Sequence, residues 1–196
     1  MSTRRLFFAL WPNESMREAL SAAVDGAMKA VRGGRPVPLS NLHVTLAFLG
    51  SVPEPSLAHL IERARQVSGV GEPSSATIDM RLDRIEHWRR AELLCAAANR
   101  MPARAEELSS ALKAALVAAD FRPDLKPFRA HVTLARQVRR APPDFGMPAV
   151  TWSFGEFALI ESRTLPEGSS YSVVDSWALC GGTRQSRAAP DRPDHG

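Results

Sequence analysis

One five-residue string occurs twice in this chain, His43-Val44-Thr45-Leu46-Ala47 and His131-Val132-Thr133-Leu134-Ala135, the second histidine 88 positions after the first in a 196-residue sequence. Its β-branched and apolar content makes each copy a strand. Successive side chains on a strand point to opposite faces. His43 and Thr45 therefore share one face, with Val44 and Leu46 behind them, and His131 and Thr133 share another, with Val132 and Leu134 behind. Each copy needs a packed layer on its apolar side and an open surface on its polar side. Two facing copies would line a cleft with two imidazoles and two hydroxyls.

The rest of the chain supplies the layers. Arg4–Trp11 reads as a first strand, and Asn13 or Ser15 caps a helix that runs to about Val31 and stops at Gly33-Gly34. The first motif strand spans Asn41–Leu49 and ends at Gly50; a second helix opens over Pro53–Ser56 and continues to about Val67. After a Gly- and Pro-containing connection at 69–75, Ala76–Trp88 alternates apolar and polar residues as a half-buried strand, paired as a hairpin with Glu92–Ala98. A third helix is expected over Pro102–Ala119, the second motif strand over Ala130–Val138, a Pro-rich loop over Arg140–Pro148, and closing strands near Val150–Ser162 and Tyr171–Leu179. Strands and helices alternate irregularly, so the class is α+β rather than a parallel βαβ succession. From Gly181 the sequence turns polar and rich in Gly, Pro and Arg, the composition of a disordered tail.

No run approaches the roughly 18 apolar residues that cross a bilayer. The short apolar run Leu6–Trp11 is interrupted by Pro12-Asn13-Glu14 and lacks a small-residue cleavage site, so it reads as a strand and not a leader. Cys95 and Cys180 each sit in apolar sequence, away from a second Cys or His at ligand spacing, and read as reduced thiols of a cytoplasmic protein rather than a disulfide or a metal site. The basic residues are 22 Arg against 3 Lys at a net charge of +4. The planar guanidinium fork suits phosphate oxygens, although a coding bias toward Arg explains the same count.

Paired imidazoles and hydroxyls fit the opening of a cyclic phosphodiester. In-line attack needs a base for the incoming water and, on the opposite side, an acid for the departing oxygen. Histidine holds either state near neutral pH, and hydroxyl donors stabilise charge on the non-bridging oxygens. This chemistry calls for no metal and no cofactor. Near-symmetric motifs leave open which His43 or His131 is the acid.

The paired motifs and their surroundings resemble the 2H phosphoesterase superfamily, most closely the RNA 2′,3′-cyclic phosphodiesterases, also called 2′-5′ RNA ligases. RRLFFALWP resembles the family's opening strand, LSNLHVTLAFLG its first motif, KPFRAHVTLAR its second, and ESRTLPEGSSYSVVDSWAL its closing hairpin, covering about residues 4 to 180. Ala130 departs from the Pro often found before the second His. The resemblance implies one bilobal domain over 1–180, with two pseudo-symmetric lobes, each an antiparallel sheet backed by helices, around a central cleft. It implies His43 as proton donor to the leaving oxygen, His131 as base for water, Thr45 and Thr133 as phosphate holders, and a 2′-phosphate product. The expected partner is RNA or a nucleotide with a 2′,3′-cyclic phosphate, bound by a monomer.

Arg136 resembles a family arginine that binds the phosphate, yet an odd offset of five from His131 places it on the wrong face of a regular strand. A strand end, twist or bulge would have to bring it round. Phe48 holds the same offset in the first motif, where an aromatic serves core packing or base stacking, packing being the commoner role. Trp88 and the arginines of the adjacent turn are candidate RNA contacts; Tyr171 is a candidate cleft residue by resemblance. Arg129 shares parity with His131. The resemblance also allows 2′-5′ RNA ligase activity, and rival functions are a 2H enzyme acting on another cyclic or 2′-5′-linked phosphodiester or as an RNA ligase, and a non-catalytic RNA-binding module.

Overall fold

The computed structural model describes residues 2–68, 77–140, 146–166 and 168–179. The expected connection at 69–75, most of the Pro-rich loop, Cys180 and the tail from Gly181 lie outside them.

Strand β1 (Thr3–Leu10) leads into helix α1 (Glu14–Ala30), whose first turn is capped by Asn13, its side-chain oxygen accepting from Met16 N–H at 2.9 Å. Gly33 and Gly34 follow with φ of 79° and 86° and turn the chain into the two-residue strand β2 (Arg35–Pro36). A Cβ at Gly34 would sit 2.9 Å from Val138 and 3.0 Å from the Arg136 carbonyl, so glycine lets this turn lie against the end of the second motif strand. Then come β3 (Val44–Pro53), α2 (Leu57–Ser68), β4 (Ile78–Leu82), β5 (Arg84–Trp88), β6 (Leu93–Ala97), α3 (Ala103–Val117), β7 (His131–Arg136), β8 (Val150–Phe154), β9 (Glu156–Leu165) and β10 (Gly168–Ala178).

The strands form two four-stranded antiparallel sheets, ordered β10-β9-β1-β3 and β2-β7-β6-β5, with a small β4-β8 pair. Each motif strand thus belongs to a different sheet. Helices α2 and α3 back the first sheet, and Ser109 of α3, fully buried, donates to the Leu46 carbonyl on the free edge of β3 at 2.6 Å. The Phe48 carbonyl on the same edge accepts from Asp124 N–H at 2.8 Å. Helix α1 leaves the first sheet and covers the second, its Met28 and the following Val31 packing on Leu94, Ala135 and Val138. A continuous apolar core joins residues from both sheets, with Phe8, Leu46, Val132, Leu134 and Trp152 among its members.

The α+β class, the antiparallel sheets and the order of elements agree with the sequence reading. Three boundaries differ. Gly50 does not end the first motif strand: it adopts φ +73° inside it, at a bulge where Leu49 has no partner, and the strand continues to Pro53. The stretch expected as one strand over 76–88 breaks at Asp83, whose carboxylate accepts Asn99 N–H, so that β4 and β5 join different sheets. Gly155 similarly divides Val150–Ser162 into β8 and β9. At both sites two non-apolar residues in succession, Asp83-Arg84 and Gly155-Glu156, shift the phase of the alternation, and the pairing partners decide which sheet each segment joins.

Candidate active site

Both motif strands carry a bulge at the same place. On β3 the register passes from Ala9–Thr45 to Phe8–Ala47, leaving Leu46 unpaired; on β7 it passes from Cys95–Thr133 to Leu94–Ala135, leaving Leu134 unpaired. Both leucines still point into the core, at 2% and 3% exposure, and Ala47 and Ala135 are buried beside them. An extra residue on the core side moves every later residue to the other face. Arg136 therefore turns to the cleft face beside Thr133, and Phe48 does so beside Thr45. The objection from strand parity is removed by Leu134.

The two imidazoles are held alike. Nδ1–H of His43 donates to the Asn41 carbonyl at 2.6 Å, and Nδ1–H of His131 donates to the Arg129 carbonyl at 2.8 Å, in each case two residues back along the chain. A carbonyl can only accept, so the proton sits on Nδ1 and Nε2 is left for chemistry. His43 Nε2 lies 3.1 Å from the Thr45 hydroxyl. Asn41 is itself buried and its amide donates to the Ser169 carbonyl at 2.6 Å, tying this carbonyl to β10.

Aromatic rings fix the ring planes. His43 lies 4.9 Å from Phe7, is stacked on Trp11 at 5.7 Å, and meets Tyr171 edge-on at 5.4 Å. Phe48 packs into this same cleft-face cluster with Phe7 and Tyr171, so its role is packing on the open side of the sheet and not in the central core. His131 lies 4.4 Å from Trp88. The Trp88 indole N–H donates to Glu86 at 2.6 Å, the Arg129 guanidinium lies 4.3 Å over its ring, and Arg129 and Arg84 both pair with Glu86.

Burial of its ring lowers the His43 pKa to about 4, with the Asn41 hydrogen bond opposing and the charges of Arg136, His131 and Arg17 adding to the fall. His131 is also lowered, again chiefly by burial; Arg129 and Arg136 push it further down while its Arg129 hydrogen bond and the Glu86 carboxylate resist. The cleft thus favours the neutral form of both imidazoles and presents the fixed positive charge of Arg136 and Arg129, the condition for receiving an anion.

The open space divides into two cavities. One, of about 480 Å³, is lined by His43, Thr133, Arg136, Asn41, Tyr171 and Arg35. The other, of about 530 Å³, is lined by His131, Thr45, Phe48, Trp88 and Arg129 among others. Each histidine shares a cavity with the threonine of the opposite motif. All five residues singled out from the sequence, His43, Thr45, His131, Thr133 and Arg136, line this divided cleft, as do Tyr171, Trp88 and Arg129. Sequence reasoning missed Asn41 and Glu86. A signal for Asn41 existed: in both motifs the residue two before the histidine must offer its carbonyl. Nothing marked Glu86, which reaches the site from a different strand. His59 stacks on Phe121 in an exposed position away from the cleft, and Cys95 is a buried free thiol paired in register with Thr133.

Two sheets, a cleft between their motif strands and paired imidazoles and hydroxyls within it define a two-histidine phosphoesterase. The sequence model of the 2′-5′ RNA ligase superfamily matches residues 16–164, and the chain belongs to that superfamily. Over 97% of its length it is 32% identical to an RNA 2′,3′-cyclic phosphodiesterase of Thermus thermophilus, of which 98% is covered. Over 90% it is 30% identical to the enzyme of the same name from Escherichia coli, 97% covered. Among solved structures it resembles E. coli LigT complexed with 3′-AMP, at TM-score 0.79 and 26% identity over 91% of this chain and 99% of that one. TT0787 of T. thermophilus is similar at TM-score 0.75 and 28% identity, over 91% of this chain and all of that one.

Proposed function

We propose that this enzyme opens the 2′,3′-cyclic phosphate at an RNA end to a 2′-phosphate, with one imidazole on each side of phosphorus and no metal. The observation that carries this reading is the crossed arrangement of the cavities, His43 with Thr133 and Arg136 on one side, His131 with Thr45 on the other. In-line displacement places the entering and leaving oxygens on opposite sides of phosphorus, so an acid and a base belong in opposite cavities. A phosphate at their junction is within reach of both threonine hydroxyls and the Arg136 guanidinium, which take up the charge on its non-bridging oxygens.

The ribose lies in the His43 cavity. His131 Nε2 takes a proton from water as its oxygen bonds to phosphorus; the bond to O3′ breaks, and O3′ takes the proton of His43 Nε2–H. This order of donor and base comes from the family resemblance. Burial lowers the pKa of both rings and the Arg136 charge opposes protonation of either, while Glu86 supports a charge on His131. A phosphate held by Arg136 and Thr133 offsets the Arg136 charge and raises the pKa of both rings, so the anion helps to charge the donor it lies beside. Both histidines come from one chain, which supports a monomer as the working unit, and the buried thiol of Cys95 suits the cytoplasm.

The experiment is hydrolysis of RNA with a cyclic-phosphate end in EDTA, with the position of the product phosphate read by NMR. The expected product is the 2′-phosphate, and His43→Ala or His131→Ala should each lower kcat by roughly 10²- to 10⁴-fold. Full activity in either variant, or loss of wild-type activity in EDTA, would refute the proposal.

A further inference from the structure

The two imidazoles are held by matching groups of side chains, and the groups differ in one member. His43 packs on Trp11 at 5.7 Å with the Arg17 guanidinium 4.8 Å over the indole; His131 packs on Trp88 at 4.4 Å with Arg129 4.3 Å over that ring. Arg17 donates to the Leu42 carbonyl, whereas Arg129 donates to a carboxylate, that of Glu86, at 3.1 Å. The same Glu86 oxygen accepts the Trp88 indole N–H at 2.6 Å, and the other pairs with Arg84 at 2.7 Å. In register Glu86 stands opposite Cys95 and Cys95 opposite Thr133, so the three side chains form one row on the cleft face of the second sheet. Trp88 and His131 belong to the rows on either side of it, Trp88 opposite Leu93 and His131 opposite Ala97. The indole can meet the imidazole only by turning back across the Glu86 row, where Cys95 is small, and its hydrogen bond to Glu86 fixes that turn.

Glu86 therefore grips both supports of His131, the indole it packs on and the residue whose carbonyl takes its Nδ1–H at 2.8 Å. We infer that Glu86 is the positioning residue of the base: through Trp88 and Arg129 it fixes the direction of His131 Nε2 and keeps a carboxylate near the ring as it takes the proton of the attacking water. The inference rests on the proposed ring opening with His131 as base. In that step charge appears on a ring that already faces Arg129, Arg136 on its own strand and His43 across the cleft, with Lys113 of α3 and Lys126 at the cavity rim. Asp124, the carboxylate of that rim, is paired with Lys126 at 3.2 Å. Glu86 is the carboxylate that favours charge on His131. His43 needs no counterpart, because as donor it enters the step charged and leaves it neutral. The carboxylate that distinguishes the two matching groups thus sits where positive charge develops.

The test is hydrolysis of 2′,3′-cyclic AMP by the full chain, with the ring protons of His43 and His131 followed through a pH titration by NMR. Glu86→Gln keeps an oxygen for the indole N–H and removes the charge. It should lower kcat by about tenfold and leave KM within about twofold. His131 should then titrate at lower pH than in wild type, and His43 should move less. Glu86→Asp restores the charge on a shorter arm: His131 should titrate as in wild type, with kcat down about threefold because its supports are held less firmly. Trp88→Phe, which keeps a ring and removes the N–H, should lower kcat by a similar factor without lowering the His131 titration. These two variants carry the test if Glu86→Gln does not fold, and wild-type kcat in both would then refute the inference. Wild-type kcat in Glu86→Gln, an unmoved His131 titration, or kcat, KM and both titrations changed alike by all three substitutions would reduce Glu86 to a support of the sheet. Each of those results overturns the inference and leaves the ring opening intact. Wild type inert toward cyclic AMP would remove the ring-opening reading first, and the inference with it.

Discussion

Acid should destabilise this protein through His43 before its carboxylates protonate. In the folded chain the Nδ1–H of His43 is committed to the Asn41 carbonyl, and the ring is packed among Phe7, Trp11 and Tyr171. A second proton must be added at Nε2, in a partly desolvated position facing the charges of Arg136 and Arg17, and the pKa falls from 6.5 to about 4. The unfolded chain takes up that proton near 6.5. Stability from this group is therefore full above 6.5, declines as pH falls toward 4, and has no further slope below it. At roughly 1.4 kcal/mol per pH unit the total is about 3 kcal/mol, a large share of the roughly 5–15 kcal/mol of a typical domain. His131, also lowered, adds a loss in the same direction. Urea unfolding measured at intervals from about pH 7.5 down to about pH 4.5 should show the decline, and His43→Asn should flatten it. Sulfate, whose charge does not change across this range, should bind more tightly toward acid, since it favours the protonated ring. The reasoning fails if wild type and His43→Asn lose stability in parallel, or if the His43 ring protons titrate at or above 6.5 by NMR.

The same depression should place both limbs of the kcat/KM profile for cyclic AMP on the acid side of histidine's ordinary value, with the kcat profile displaced to higher pH because bound phosphate raises both imidazoles; coincident profiles would contradict substrate-assisted charging. Arg136→Ala should lower kcat/KM by roughly tenfold to a hundredfold, the worth of a charge-assisted hydrogen bond, and should shift the histidine titrations upward by removing a cation. Normal turnover would exclude Arg136 from phosphate binding. Ser109→Ala should cost about 1–3 kcal/mol in urea unfolding, because it leaves the buried Leu46 carbonyl on the edge of β3 without its donor; an unchanged midpoint would mean that edge finds another partner.

Much of the site was legible because a strand enforces its own geometry. Two copies of His-Val-Thr-Leu-Ala, read with a period of two, place His43 with Thr45 and His131 with Thr133 and send Val44, Leu46, Val132 and Leu134 to the core, whatever surrounds them. The helices were legible for a similar local reason, as with the cap of α1 at Asn13. Pairing is not local, and there the sequence was silent. The breaks at Asp83 and Gly155 show in the sequence only as a lapse in alternation; which sheet each segment then joins follows from the strand it meets. The bulges at Leu46 and Leu134, which turn Phe48 and Arg136 to the cleft, exist only because a neighbouring strand has one residue fewer. So do the crossed cavities, which put each histidine beside the other motif's threonine, and the low proton affinity of His43, which needs Trp11, Arg17, Arg136 and Tyr171 brought together from distant positions. By itself the sequence determined which groups exist and which pairs share a face, because backbone pleat decides that within a few residues. Tertiary structure decided where Arg136 points, what Glu86 touches and how weakly His43 holds a proton, because register, burial and electric field belong to the assembled chain.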